Sequence, residues 1–474
     1  MVKIAIVGGG VAGATTSLYL SQIGLDVTLF EENSSLVNGP PFCHLHAGGN
    51  LYREISDEQC ITLLKESIDL LRFYPNSIDY RPTAIAIPLD DSGVPDDLLP
   101  RLNILTKEYQ LLIDNDIKNE VLGKAKDYFK VFTKVNIKKL KELDTVKKPS
   151  TLDEWMIPVA KNLDLDKIKF PLIMVQEYGL NLFRLASEVS LSLQKLPNCK
   201  LFLNTKVTNI NKIENDSFNI EYLKNNTTYT TKFDYIINAA GYKSGVIDDL
   251  LNYKQQRFVE FKAAYVTHWK DCDTIWPEII FHGTRGTPQG MGQFTPYPNG
   301  HFQLHGMTES ITLFEKGLVK SCNQSSQPKL DKLFTDKIDK KWNEEDYIKR
   351  SKLAINHLSK FIPAFKNAIV SSKPLYGAQQ IPGTDKDLRA SDISSEGTSY
   401  VRCEIVKVSS VLNMIDNIVK KLIDLDYIKN TVYKKRGFVN IKLTTSQIDS
   451  KSIQICKLRN YPISLGFVNT NKKG

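Results

Sequence analysis

Pairing is what the cysteines of this chain lack. There are seven, Cys43, Cys60, Cys199, Cys272, Cys322, Cys403 and Cys456, scattered, odd in number and nowhere spaced C-x-x-C. That excludes a disulfide framework and a zinc ribbon, and it predicts a reducing, cytoplasmic compartment. No stretch reaches ~18 apolar residues, so no transmembrane helix is expected. The chain enters an apolar strand at residue 2, so no signal peptide is expected. Dense arginine clusters, nucleic-acid-binding modules and internal repeats are missing too, so no nucleic-acid partner is expected. The net charge of +9 comes mostly from lysines spread along the chain. It reads as a solvated surface, with weak attraction to anionic substrates or a membrane surface as the alternative. With 42% hydrophobic and 24% charged residues, 474 positions are ordinary for a globular protein and too many for one core. Two or three domains are expected.

What is present starts at once. Val2-Lys3-Ile4-Ala5-Ile6-Val7 is a near-continuous apolar run, as in a strand buried on both faces. Gly8-Gly9-Gly10-Val11-Ala12-Gly13 follows, with G-x-G-x-x-G at Gly8, Gly10 and Gly13. A helical stretch from Ala14 to Gln22 is stopped by Gly24, and a second strand, Asp26 to Phe30, ends on Glu31. This is the strand–turn–helix–strand unit that binds a dinucleotide. Gly8 permits the turn, Gly10 lets the backbone approach a pyrophosphate, and Gly13 lets the helix sit close to the strand. The helix N-terminus, at Val11 and Ala12, offers N–H groups to the phosphates. Glu31, with Glu32 beside it, stands where a carboxylate accepts ribose hydroxyls.

Further on, Asp57 to Tyr74 reads as a helix and residues 80–88 as a strand. Asp90 to Pro149 is lysine-rich and reads as a mostly helical insert or lid. A helix is expected after Asn181, then a strand at Lys200 to Asn204 and a hairpin from Phe218 to Lys232. Phe233 to Gly241 is an apolar strand ending in small residues. Phe294 to His305 alternates as a strand, with His301, Gln303 and His305 on one face and Phe302 and Leu304 on the other. One long helix is expected over 336–362 and a last one over Ser410 to Leu425, capped near Ser409. Residues 430–474 show no period and read as a surface extension.

Three separated segments resemble the FAD-dependent oxidoreductases of the D-amino-acid oxidase superfamily: Ile4 to Glu31, Val207 with Asp234 to Gly241, and Gly377 to Gly383 through the helix near Ser409. The match spans roughly residues 1–425. It departs at Arg402 to Ser410, where the family's glycine-rich turn is replaced. The resemblance implies an α/β fold with a discontinuous Rossmann-type FAD-binding domain (1–80, 155–250 and 365–428) and a substrate domain of mainly antiparallel sheet and helices (81–154 and 251–364), followed by an extension from 429. It implies FAD held by Gly8, Gly10, Val11, Ala12, Gly13, Glu31, Glu32, Val207, Ala240, Gly241, Ser409 and Ser410.

The resemblance also implies that residues 38–49 wrap the flavin ring. His44 and His46 fall where some members attach FAD covalently, and a polar contact to ring or substrate is the other reading. As metal ligands the pair lacks a third partner, so no metal is expected. Such an enzyme must hold a C–H bond over flavin N5 and stabilise negative charge at the N1/C2 oxygen edge. The helix N-terminus at Ser410, Lys407 and Arg402 are candidates for the charge. A substrate carboxylate calls for an arginine fork, with Arg285 first and Arg53 and Arg389 next. His301 or His305 would act as base or hydrogen-bonder, Tyr297 and Tyr376 more weakly so. The implied activity is FAD-dependent oxidation of a small amine, amino acid or 2-hydroxy acid. The alternatives are a quinone-linked dehydrogenase at a membrane surface and a non-catalytic binding protein on the same fold.

Overall fold

The computed structural model describes residues 2–45, 48–49, 55–340, 342–388, 392–429 and 441–469. His46, Arg53 and Arg389 lie outside the described residues.

The opening motif builds the centre of a six-stranded sheet. Its strand order is Ile393–Ser395, Tyr400–Cys403, Tyr235–Asn238, Lys3–Val7, Asp26–Phe30, Cys199–Phe202. All pairs are parallel except Ile393–Ser395 with Tyr400–Cys403. Ile4, Ala5 and Ile6 have no accessible surface, as the unbroken apolar run demands. Helices Val11–Gln22, Leu182–Leu193 and Val411–Asp424 contribute to the same hydrophobic core. The predicted hairpin is found as Phe218–Lys224 with Thr227–Phe233, and Thr205–Lys212 adds a third strand.

A second, larger sheet is antiparallel except where Glu278–Phe281 runs parallel to Thr83–Pro88. It includes Ile168–Val175 and Leu375–Pro382, two segments expected with the cofactor unit that instead pair with Thr83–Pro88 and Arg257–His268. Within the expected helical insert, Phe129–Phe132 is a strand on the edge of this sheet, beside helices Leu99–Asn115 and Lys134–Lys141. Its Phe-Lys-Val-Phe sequence suits a pleated surface better than a helix.

Three further expectations are corrected. The alternating run over 294–305 is a hairpin, Gly292–Tyr297 and His301–Gly306. Asn299 and Gly300 take positive φ, 59° and 68°, in the turn between them. Because residues of like parity face each other across it, the predicted face assignment survives the break. The long helix is two, Lys332–Asp339 and Glu344–Ser359. Asn343 accepts from the Asp346 N–H (3.1 Å) ahead of Glu344, Glu345 and Asp346, a strong start signal for a new helix. Finally, the C-terminal region is no loose extension. Thr445–Leu458 is a helix opened by a Thr444–Gln447 capping box, and it buries Ile448, Ile455 and Cys456 against Leu182–Leu193.

Candidate functional site

Between the two sheets lies a cavity of 1680 Å³. That exceeds the ~300–1,000 Å³ of an ordinary small-molecule pocket and leaves room for a dinucleotide and a substrate together.

One end is the glycine turn. Gly8 has φ +103°, and a Cβ there would stand 2.5 Å from the Ala239 carbonyl oxygen. A Cβ on Gly13 would stand 1.9 Å from the Gly8 oxygen, so Gly13 serves helix–strand contact and does not line the cavity. Gly10 has open space where a Cβ would be. Gly8, Gly10, Val11 and Ala12 line the cavity, as do Glu31, Glu32, Val207, Ala240 and Gly241. Glu31 accepts from the Gly9 N–H (2.6 Å) and from the backbone and side-chain nitrogens of Asn33 (2.8 and 2.6 Å). Burial raises its pKa against the pull of those bonds. Glu32 pairs with Lys243 at 2.6 Å.

The last predicted helix contributes less than expected. Ser409 and Lys407 line the cavity. Ser410 does not; its hydroxyl donates to Glu66 (2.7 Å) and caps no helix. Arg402 is also displaced from the predicted role. It is buried on Asp248 (2.7 Å), which also accepts from Tyr400 and Arg257, a structural cluster behind the sheet.

At the other end stand Cys43, His44 and Gln293. His44 Nδ1 meets Glu278 Oε1 at 2.9 Å, and the second Glu278 oxygen meets Arg81 at 2.8 Å. All three charged groups are buried. Burial alone would discharge His44, but Glu278 and Cys43 overcome it and hold its pKa up at about 10. The Gln293 amide nitrogen lies 3.0 Å from Cys43 Sγ and 2.7 Å from His44 Nδ1 and also bonds Glu278. Cys43, His44 and Glu278 are the one group with metal-ligating geometry among the described residues, their ligand atoms within 4.8 Å. The partners for His44 that the sequence did not offer thus come from Cys43 beside it and a distant strand.

Over the cavity lie Glu260, Lys262, Gln303 and His305 on the sheet face and Arg285 in the turn between Glu278–Phe281 and Gly292–Tyr297. Arg285 and Lys262 share the Glu260 carboxylate at 2.8 and 2.6 Å. Burial would raise the Glu260 pKa, but the two cations hold it low. Two cations on one carboxylate leave one net positive charge. Tyr376 lines the cavity, whereas Tyr297 stands behind it and donates to Gln303 (3.0 Å).

The two predicted strand histidines separate. His301 lies away from the cavity, stacked on His268 with ring centroids 4.5 Å apart. His305 lines the cavity, and its Nδ1 faces the Ala263 carbonyl at 3.0 Å, which requires the proton on Nδ1. Nε2 of the neutral ring is then an acceptor. Burial and Lys262 lower its pKa to about 4. The unfolded chain therefore takes up this proton first, near pH 6.5, so stability falls as pH drops from 6.5 towards 4. Denaturant titrations at pH 7 and pH 4 are expected to show His305→Gln losing up to about 3 kcal/mol less than wild type over that interval.

No protein-family model and no curated protein matches the sequence. Solved structures do resemble this one. An L-amino acid deaminase from Proteus vulgaris matches at TM-score 0.56 and 11% identity, over 94% of this chain and 96% of its own. An L-alpha-glycerophosphate oxidase from Mycoplasma pneumoniae with FAD bound matches at 0.54 and 15%, over 89% and 95%. An L-proline dehydrogenase from P. horikoshii matches at 0.52 and 16%, over 90% and 94%. The likeness is one of fold, and the fold is the one the sequence resemblance implied. Among the described residues, no helix is long and apolar enough to cross a membrane.

Proposed function

We propose that this chain is an FAD-dependent oxidoreductase acting on a small anionic amine, amino acid or 2-hydroxy acid. One observation carries the reading. A single cavity runs from the open glycine turn and Glu31, past residues 38–45, to a polar sheet face with net positive charge. The residues fit the cofactor. Gly10 leaves space where a side chain would intrude, and Val11 and Ala12 begin a helix whose free N–H groups suit a pyrophosphate. Glu31 suits the ribose, Val207 the adenine edge, and Ala240, Gly241 and Ser409 the close passage of the ring system. FAD, when bound, supplies the two-electron acceptor.

The chain's own groups supply the rest. Arg285 and Lys262 hold the substrate carboxylate, and Glu260 fixes their geometry. His305, kept neutral, accepts a hydrogen bond or proton from the substrate amine or hydroxyl at Nε2. His44, kept protonated by Glu278, places a hydrogen-bonding imidazolium at the cavity wall, and Lys407 adds an ammonium group. The segments 1–80, 155–250 and 365–428 form the cofactor domain in this reading, with strands Ile168–Val175 and Leu375–Pro382 lent to the substrate sheet.

An absorption spectrum before and after acid precipitation tests the reading. Flavin released to the supernatant supports non-covalent FAD, and colour retained in the pellet supports a covalent bond, with His44, His46 or a cysteine as the candidates for it. Amino and hydroxy acids are then screened for bleaching. A chain that stays colourless after incubation with FAD would sink the proposal. For the substrate that bleaches it, Arg285→Gln is expected to raise KM roughly 10- to 100-fold with kcat little changed, the loss of one charged hydrogen bond or two.

A further inference from the structure

Arg459 reaches the cavity from the far end of the chain. It follows directly on the Thr445–Leu458 helix and lines the cavity together with Tyr461. That helix is fastened to Leu182–Leu193 by Ser452 on Ser187 (3.0 Å) and by Asp449 on Arg184. Asn181 adds two bonds, donating to the carbonyls of Leu465 and Phe467 at 2.9 Å each. Arg459 is therefore delivered to a fixed place.

Its surroundings are unusual for a cation. Nε and Nη2 donate to Ser35 Oγ at 3.1 and 3.0 Å, Nη1 donates to the Val37 carbonyl at 3.0 Å, and Nη2 also donates to the Leu36 carbonyl. Every acceptor is neutral, and among the described residues no carboxylate stands within ion-pair distance. Burial lowers its pKa to about 10. Glu31 is the carboxylate whose field reaches it, without forming an ion pair, so an anion in the adjoining cavity would meet a half-buried cation bonded only to neutral acceptors. The loop that Arg459 grips leads to the phosphate end. Val37, whose N–H donates to the Gly9 carbonyl (2.9 Å), has φ 55°, a strained value for a β-branched residue. Arg459 is thus joined to the glycine turn through Val37 and lines the same cavity as the helix N-terminus, where the N–H groups already favour negative charge.

We propose that Arg459, carried in by the C-terminal helix, binds the pyrophosphate of the dinucleotide, so that cofactor retention and docking of residues 445–467 stabilise each other. The proposal rests on the dinucleotide reading of the cavity. By linkage, whatever the docked segment adds to cofactor affinity, the cofactor adds to docking.

The test uses the full chain depleted of flavin and titrated calorimetrically with FAD, ADP and adenosine. Arg459→Gln is expected to weaken FAD and ADP by tenfold or more and adenosine by less than twofold, with Arg459→Lys in between. Equal losses for ADP and adenosine would reduce Arg459 to a loop support, and unchanged ADP affinity would remove it from the site; either overturns the proposal. If Arg459→Gln does not fold, hydrogen exchange on the wild-type chain decides. ADP slows exchange over 445–467 more than adenosine does if the proposal holds, and equal effects overturn it. A wild-type chain that binds ADP but not FAD, with the same dependence on Arg459, supports this inference while sinking the flavin reading.

Discussion

Glu278→Ala destabilises this protein by about 3–5 kcal/mol, the range for removing one partner of a buried ion pair. Glu278 has no accessible surface and faces two buried cations, His44 at 2.9 Å and Arg81 at 2.8 Å. Without it the fold must bury Arg81 with only Asp79 nearby (3.5 Å) and must discharge His44. The pH dependence carries the signature. In the wild type the folded-state pKa of His44 is raised to about 10, so its stabilisation is fully present below pH 6.5 and is lost as pH rises through 10. In Glu278→Ala that alkaline decline should vanish, because the imidazole is already neutral near pH 7. Denaturant unfolding from pH 6 to pH 10 checks it. A variant that keeps the wild-type alkaline slope would show that Glu278 does not hold the His44 proton.

The second large effect separates cofactor binding from folding at two glycines three residues apart. Gly13→Ala puts a methyl 1.9 Å from the Gly8 carbonyl oxygen and 3.0 Å from Ala239 Cβ, both held by the sheet. The helix must move off the strand, an overpacking cost of about 1–3 kcal/mol. The N-terminal N–H groups move with it, so flavin binding should fall more than tenfold. Gly10→Ala behaves differently. Its φ of −64° suits alanine and its Cβ meets nothing within 4 Å, so the flavin-free chain should unfold at the wild-type denaturant midpoint. The methyl nevertheless projects into the cavity and should cost FAD affinity by a similar factor. Comparing midpoints with FAD titrations for both variants checks the pair. Equal unfolding midpoints for the two would contradict the packing argument.

The glycine turn was legible because everything it needs is contiguous. Strand, turn, helix and acid lie within residues 2–31, and each residue type has one physical job there. The hairpin at 292–306 was legible in its faces but not in its break, because like-parity pairing across the turn preserves the alternation. The helix at Thr445–Leu458 was missed although its capping box was present, since its short apolar stripe is diluted by lysines and serines. Chemistry assembled across the fold was least visible. Gln293 meets His44 from 249 positions away, and nothing local marks it. Arg402 was misread for the converse reason. An arginine near a predicted helix start looks functional until Asp248 is found 154 positions earlier, waiting for it.

The parallel sheet also sets a schedule for synthesis. Lys3–Val7 and Asp26–Phe30 are the first strands made, yet their outer partners are Tyr235–Asn238 and Cys199–Phe202, and the sheet extends only with Tyr400–Cys403. At ~5–20 residues per second, roughly 10–45 s pass between translation of Val7 and of its register partner Asn238. Until Cys199–Phe202 is made the apolar two-stranded ribbon has unpaired edges on both sides, and until Tyr235–Asn238 is made the Lys3–Val7 edge stays open, the geometry most open to capture by another nascent chain. The strand–turn–helix–strand unit, complete in sequence by residue 31, is thus flanked on both sides only once residue 238 has been made.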